Sequence, residues 1–530
     1  MLTYHVLGVK SAWPKVPIGH FRQTYTGSKV YLDYLLPWTK TCAAEHPICR
    51  NDHESFIPRR VLDVGGDDES QVRLLETQAA EKSERYICLS HMWGTSKPIQ
   101  TSQDNIADHI AGIPLMALPL TFRDAVKITR YLGVRFLWID SLCIVQDDND
   151  DWVTQSAQMA NIYGKSFLTM SATVSEDAHG GIFKRIPHNA GHIEVPHHVN
   201  LKESTGVFVR SVISHHQFDN LMPSVWHTEC QEWDSQYPLL ARAWAYQEQV
   251  LSPRVIFFGH HEIFWQCNVT SWCCCSPYLV QHGIKHTIAH ALDTGTTRST
   301  KPSLDILRCW EQIVRSYSDK SITKEEDRLP ALSGIVKRFQ SVRDGQYLAG
   351  LWEDNLIKDL CWMVKEGGRR PRKYLAPSWS WCSVFGRANS AYVPKISGDV
   401  LTVREVSCTP STSDPTGAVS SGFIRLSGFL LQGKAVIPSN DTSPTFRVQG
   451  MENEFYPDAL YDDMAAFYAS SYTVYGLKIG HQVHLSTFCV LVLLKKDRLE
   501  DQYQRVGIAE LPVNSCWNNM FKKKCTITII

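Results

Sequence analysis

The chain has 530 residues, enough for two or three domains, and 43% of them are hydrophobic, so it can bury ordinary cores. Its 54 Lys and Arg are balanced by 54 Asp and Glu, and a neutral total argues against nucleic acid or an anionic membrane as the main partner. No stretch reaches the roughly 18 apolar residues of a membrane span, and residues 1–15 lack a basic segment followed by an apolar run. A cytoplasmic location is therefore expected, with most of the sixteen cysteines reduced.

In chain order, the first chemical feature is Cys42, His46 and Cys49, in C-x3-H-x2-C spacing. Thiolates and imidazole at such spacing suit zinc. The set is local and no second pair follows nearby, so a packed helical turn is the preferred reading and zinc the alternative. His53 could be a fourth member, and Cys267 with Cys273, Cys274 and Cys275 could contribute from a distance.

Three short apolar runs follow, at 86–89, 134–139 and 166–170. Each is rich in β-branched or aromatic residues and suits a buried strand. The first ends at Ser90 and His91, ahead of Trp93, and the second ends at Asp140. Between them the spacing predicts a helix over 121–132. Thr121 and Asp124 form its start signal, Phe122, Ala125, Thr129 and Leu132 share a face, and Gly133 is the stop. Arg123 and Asp124 read as an ion-paired cap. A second helix should follow the acidic run 147–151, with Trp152, Ser156, Met159, Ala160 and Tyr163 on its buried side. Strand–helix–strand–helix–strand at this length implies a parallel α/β sheet, whose ligands bind beyond the carboxyl ends of the strands. Ser90, His91 and Asp140 would share that rim. Asp140 inside a helix, or 134–139 at the surface, would contradict this picture.

Residues 184–240 read as an insertion with scattered histidines that match no metal template. Arg242, Glu248 and Arg254 then stand close enough in sequence to pair, or to bind a phosphate-bearing ligand. Residues 300–365 read as helices, with Trp310, Ile313, Val314 and Tyr317 at helical spacing and Leu332, Ile335, Val336 and Phe339 repeating it. Beyond about residue 374 strand-like runs separated by turns predict a β-rich region. The expected organisation is an N-terminal segment at 1–60, an α/β domain at 61–275, a mainly helical region at 276–370 and a β-rich domain at 371–530.

A resemblance is carried by Leu89-Ser90-His91-Met92-Trp93-Gly94, by Phe122-Arg123-Asp124-Ala125 and by Leu137-Trp138-Ile139-Asp140-Ser141-Leu142-Cys143-Ile144. Gln146-Asp147-Asp148, Asp151-Trp152, Gly181-Ile182-Phe183, Arg242-Ala243-Trp244, Gln247-Glu248 and Leu251-Ser252-Pro253-Arg254 continue it in order. These motifs resemble the fungal heterokaryon-incompatibility (HET) domain, which implies a role in non-self recognition or programmed cell death. The resemblance also implies a flavodoxin-like α/β fold similar to the Toll/interleukin-receptor (TIR) domain, and NAD as a possible substrate cleaved at its glycosidic bond. The glutamate that such a site uses would stand three residues after the Trp of the D-W pair, where this chain has Gln155. Glutamine carries no charge and moves no proton at neutral pH, so another carboxylate would have to serve, or the chain does not cleave NAD.

The candidate catalytic residues are thus Asp140, Gln155, Ser90 and His91, with Trp93, Arg123, Asp147, Arg242 and Glu248 as ligand contacts. Ser90 and His91, being adjacent on a strand, should point to opposite faces, and Cys143 reads as a packed core thiol rather than a partner of His91. A small-molecule biosynthetic enzyme reusing the fold, and a non-catalytic adaptor acting by homotypic assembly, are the other two readings. Self-association or binding to another incompatibility protein is the expected partnership.

Overall fold

A computed structural model describes residues 2–6, 24–50, 56–65, 68–77, 84–95, 97–186, 193–200, 203–211, 236–274, 284–294, 302–364, 368–390, 400–436, 444–459, 472–482, 486–496 and 501–530. The chain divides into two compact units, Met1–Thr294 and Gly295–Ile530. Among the described residues no helix is long and apolar enough to cross a membrane.

The first unit is built on a nine-stranded mixed sheet. Its strands are β1 (Arg60–Asp63), β2 (Gln71–Glu76), β3 (Tyr86–Ser90), β4 (Ile113–Pro114), β5 (Phe136–Trp138), β6 (Leu168–Ser171), β7 (Arg254–Phe258), β8 (Ile263–Cys267) and β9 (Ser271–Cys273). Their order is β9-β8-β7-β6-β3-β5-β1-β2-β4. The centre is parallel: β3 pairs with β5 and β6, and β6 with β7. Three of those strands are the three apolar runs. Ile87, Leu89, Leu137, Trp138, Leu168 and Met170 are fully buried, as strands covered on both faces must be. Taken in chain order, β5, β3, β6 and β7 lie as 2-1-3-4, the flavodoxin-like arrangement. Antiparallel strands extend it on both sides, which the helix–strand alternation did not announce.

Helices α1 (Leu35–Glu45), α2 (Leu120–Tyr131), α3 (Asn149–Gly164) and α4 (Ala243–Leu251) accompany this sheet. Tyr86 Oη and Cys88 Sγ donate to the Ile162 carbonyl, and Thr169 Oγ1 meets Ser252 Oγ at 2.6 Å. The even-numbered side chains of β3 thus face α3. His91, of opposite parity, meets Phe122 of α2, their centroids 4.9 Å apart. Residues 193–200 and 203–211 of the predicted insertion form an antiparallel pair, joined by Leu2–Val6.

The helix at 121–132 is present as α2, and Gly133 ends it in the left-handed region with φ +67°. Its start differs from expectation. Pro119 is the N-cap, and Thr121 and Asp124 accept instead from the backbone N–H groups of Gly181 (3.1 Å) and Ile182 (2.8 Å). Arg123 therefore forms no ion-paired cap with Asp124; its Nη1 approaches Met116 Sδ at 3.6 Å. The two α2 side chains anchor a distant loop, a long-range use that a local signal does not reveal.

Helix α3 starts as read, with Asp148 accepting from the N–H groups of Asp150 and Asp151. Its buried face is rotated from the expected stripe. Asp151, Gln155, Met159, Ile162 and Tyr163 are buried, while Trp152 is 37% exposed. The cause is Asp151. It pairs with the buried Arg60 of β1, accepts from the Val145 N–H at 2.9 Å and binds Arg59 at 3.1 Å. This pair and Gln155 occupy the side that the apolar pattern had assigned to Trp152. Asp140 also departs from expectation: it opens a one-turn helix, Asp140–Cys143, two residues beyond β5, rather than ending the strand. The condition set against the expected architecture, Asp140 inside a helix, is thus met; the strand stops at Trp138 and the chain turns at once into the helix, while the parallel pairing of β3, β5 and β6 stands and Asp140 still lies beyond the strand's carboxyl end.

Helix Leu304–Tyr317 buries Ile306, Cys309, Trp310, Ile313 and Tyr317, and Ser333–Gln340 buries Ile335, Val336 and Phe339. Val314, expected on the first stripe, is half-buried. Between residues 347 and 390 the chain is not purely helical, since short strands pair Tyr347–Leu348 with Leu351–Trp352 and Trp362–Val364 with Ala388–Ser390. An eight-stranded sheet follows; its path runs from Leu401–Pro410 to Tyr472–Gln482, and the eighth strand, Lys524–Ile529, joins it off that path. The turn signal at 410–417 falls between two of its strands, while that at 438–444 lies almost wholly outside the described residues. Arg505, fully buried, binds Asp458 at 3.1 Å, donates to the Leu360 and Trp362 carbonyls and stacks over the Trp362 ring. Twelve of the described cysteines are free thiols, and Cys273 is disulfide-bonded.

Candidate functional site

Strands β3, β5 and β6 point the same way, so their carboxyl ends share one rim. The chain leaves β3 for β5 on one side, then crosses to β6 on the other. Two loops part at that reversal, and the crevice between them is where ligands of doubly wound sheets bind. Ser90, His91, Asp140 and Ser171 stand there.

Asp140 organises the rim. Its Oδ2 accepts from Trp93 Nε1 at 2.9 Å, and its Oδ1 accepts from the Ser141 N–H at 2.7 Å. His91 Nδ1 lies 3.7 Å from the same Oδ1. The Asp140 side chain keeps 25% of its surface open, whereas that of His91 keeps 1%. Burial pushes the His91 pKa below its ordinary value, so the ring is neutral at pH 7, and its Nε2 makes no hydrogen bond. Arg242, the N-cap of α4, donates from Nη1 to the His91 carbonyl at 2.9 Å.

Helix α4 brings Glu248 beneath this rim. The side chains of Ser90 and Tyr163 hydrogen-bond to its carboxyl, and Glu248 is 7% exposed. Burial pushes its pKa up to about 7, with the Asp140 charge adding and Ser90, Arg242 and Tyr163 opposing. The rim thus holds two carboxyls in unlike environments: Asp140 is partly open to solvent and held by donors, and Glu248 is buried and poised to hold or release a proton near neutrality. Pairs of that kind divide acid and base roles.

Residues 86–248 match the family model for heterokaryon incompatibility protein (HET). These residues are a HET domain. Searches of curated proteins and of solved structures found no match. The match opens on Tyr86, the first residue of β3, and closes on Glu248. The HET domain therefore spans the whole rim cluster.

The HET domain treats the other predicted site residues unequally. Ser90 and His91 turn to opposite faces and form no nucleophile–base pair: Ser90 serves Glu248, and His91 lies beside Asp140. Gln155 is 4% exposed, inside the buried face of α3 rather than flanking it toward a cleft edge. Asp147 is exposed and accepts from the Gln103 N–H at 2.9 Å. Cys143 is a packed thiol, its pKa pushed up to about 12 by burial. Arg254 does not pair with Glu248; it donates to Cys42 Sγ at 3.2 Å and to the Phe167 carbonyl at 3.1 Å. Arg123 lines a separate cleft of about 460 Å³ at the amino end of α2, with Lys97 and His179. Because α2 leads into β5, that end lies on the rim side of the sheet. Tyr163 was legible only as a core residue, for no local pattern connects it with a glutamate 85 positions later. Cys42, His46 and Cys49 come together with Cys267, away from the rim at strand β8, next to the edge strand β9.

Proposed function

We propose that this chain is an incompatibility-type effector of fungal non-self recognition or regulated cell death, and that its HET-domain rim acts on a small-molecule ligand through carboxylate chemistry. Glu248 carries the reading. Its buried carboxyl takes hydrogen bonds from Ser90 and Tyr163 beneath the rim, stands in the field of the more solvated Asp140, and is raised to a pKa of about 7 by burial, the setting of a group that can exchange a proton. An NAD-type dinucleotide is the ligand class that the resemblance to TIR-like domains implies. Asp140 would steady the positive charge that builds on the ribose as the nicotinamide bond breaks, and Glu248 would move the proton of the attacking water. Lys97, Arg123 and His179 in the neighbouring cleft suit phosphate groups.

The test is inducible expression of the full chain in a fungal host, with growth and cellular NAD followed together. Wild type is expected to arrest growth and lower NAD. Asp140→Asn and Glu248→Gln are expected to do neither at equal protein level. Growth arrest that persists in both variants with NAD unchanged would refute rim chemistry and point to action by assembly.

Gln155 favours a second reading, a biosynthetic enzyme that uses the same rim for another small molecule. Purified wild type separates the two. NAD cleavage that is lost in Glu248→Gln supports the dinucleotide reading, whereas a metabolite recovered from non-toxic wild-type protein supports the other.

A further inference from the structure

Among the described residues, one group of side chains has ligand atoms gathered as a metal would gather them. Cys42 and His46 come from α1 and its C-cap, Cys49 from the short turn Pro47–Cys49, and Cys267 from the end of β8. Their four ligand atoms all lie within 4.8 Å of one another. A tetrahedral zinc with bonds of about 2.3 Å to sulfur and 2.0 Å to nitrogen requires separations of about 3.5–3.8 Å. Cys267 Sγ stands 3.4 Å from His46 Nδ1. Cys42, Cys49 and Cys267 are at most 1% exposed, and all three are free thiols.

The surroundings fit a metal with three thiolates. Such a centre has one net negative charge, and buried charge needs a partner. Arg254 is 4% exposed and its Nε donates to Cys42 Sγ at 3.2 Å. The Thr270 N–H donates to Cys267 Sγ at 3.4 Å, a backbone bond of the kind that steadies a metal-bound thiolate. Asn268 Nδ2 donates to the Ile48 carbonyl, tying the two ligand loops together at 3.2 Å. His46 packs against Trp272, fixing its ring plane.

We propose that Cys42, His46, Cys49 and Cys267 bind one structural zinc ion that clamps helix α1 to strand β8, next to the edge strand β9. All four coordination positions are filled by protein, which leaves none for a substrate and makes the site structural rather than catalytic. It joins residues more than 200 positions apart, and metal binding of this sort is coupled to folding. The site lies apart from the rim, so it stands or falls independently of the function proposed above.

The experiment uses the full chain purified under reducing conditions, with zinc measured by elemental analysis. One zinc per chain is expected in wild type, lost in Cys42→Ser and Cys267→Ser, and retained in His46→Cys, which leaves four thiolates. Cys408→Ser, which changes a half-buried thiol of the second unit, should keep its zinc. Because the serine variants could fail to fold, wild type is also stripped and reloaded with Co²⁺. Intense thiolate-to-cobalt charge-transfer absorption with tetrahedral d–d bands is expected. Wild type that stays substoichiometric after reloading, a cobalt spectrum without charge transfer, or zinc content unchanged in both ligand variants would overturn the proposal.

Discussion

Glu248→Gln is expected to make the HET domain more stable at pH 8, by about 3 kcal/mol, while growth arrest is lost. The carboxyl titrates near 7 in the fold against an ordinary value of 4.5. Between those values the folded state keeps a proton that the unfolded chain has released. Stability therefore falls as pH rises from 4.5 to 7 and levels off above. A gap of that size, at about 1.4 kcal/mol per pH unit, sets the scale of the penalty. Glutamine has the same shape and no such slope. Wild type and variant should unfold alike at pH 4 and diverge as the pH is raised, which denaturant melts at several pH values would show. An equal difference at every pH would mean that Glu248 is not a buried acid. A stabilised but inactive variant is the signature of a group kept for its chemistry at a cost to the fold.

Asp151→Ala is expected to cost about 3–5 kcal/mol. The reason is what it leaves behind. Arg60 has 1% of its side chain exposed, donates to the Cys143 carbonyl, and would be left with only the half-exposed Glu76 carboxylate, 3.6 Å away. The Val145 N–H would lose its acceptor as well. Paired replacement with Arg60→Met and Asp151→Leu should recover much of the loss, since buried ion pairs are often no more stable than apolar residues of similar volume. The midpoint of the first-unit unfolding transition measures both. A loss below about 1 kcal/mol for Asp151→Ala would be that of a solvated surface pair and would contradict the burial described here. The loop at 144–148 joins the Asp140 turn to α3, so the same change should loosen the rim and reduce growth arrest without touching a ligand.

These two residues mark where a reading of the residues in order stops. The D-W pair was legible as a helix start, and it is one, but the Asp was taken for an end charge and the Trp for core. Local periodicity counts apolar residues on a face. It cannot register that Arg60, 91 positions upstream, lies opposite Asp151 and turns the helix by one residue. Asp140 was placed at the rim because the apolar run before it ends there, and that depends only on neighbours in sequence. Glu248 was visible as a charge that could pair. Its raised pKa comes from the helix that buries it against β3 and from Asp140 across the rim, neither of which leaves a trace at positions near 248.

The three central strands, helix α2 with its Gly133 stop and the rim position of Asp140 were determined by the sequence itself. Each follows from apolar spacing and backbone preference within a dozen residues. The antiparallel strands that flank the centre, the phase of α3, the proton held on Glu248 and the arrival of Cys267 beside Cys42, His46 and Cys49 were decided only by the tertiary structure. Those depend on burial and on contacts between distant parts of the chain. Desolvation, ion pairing and ligand geometry act between groups that are close in space, however far apart they lie in sequence.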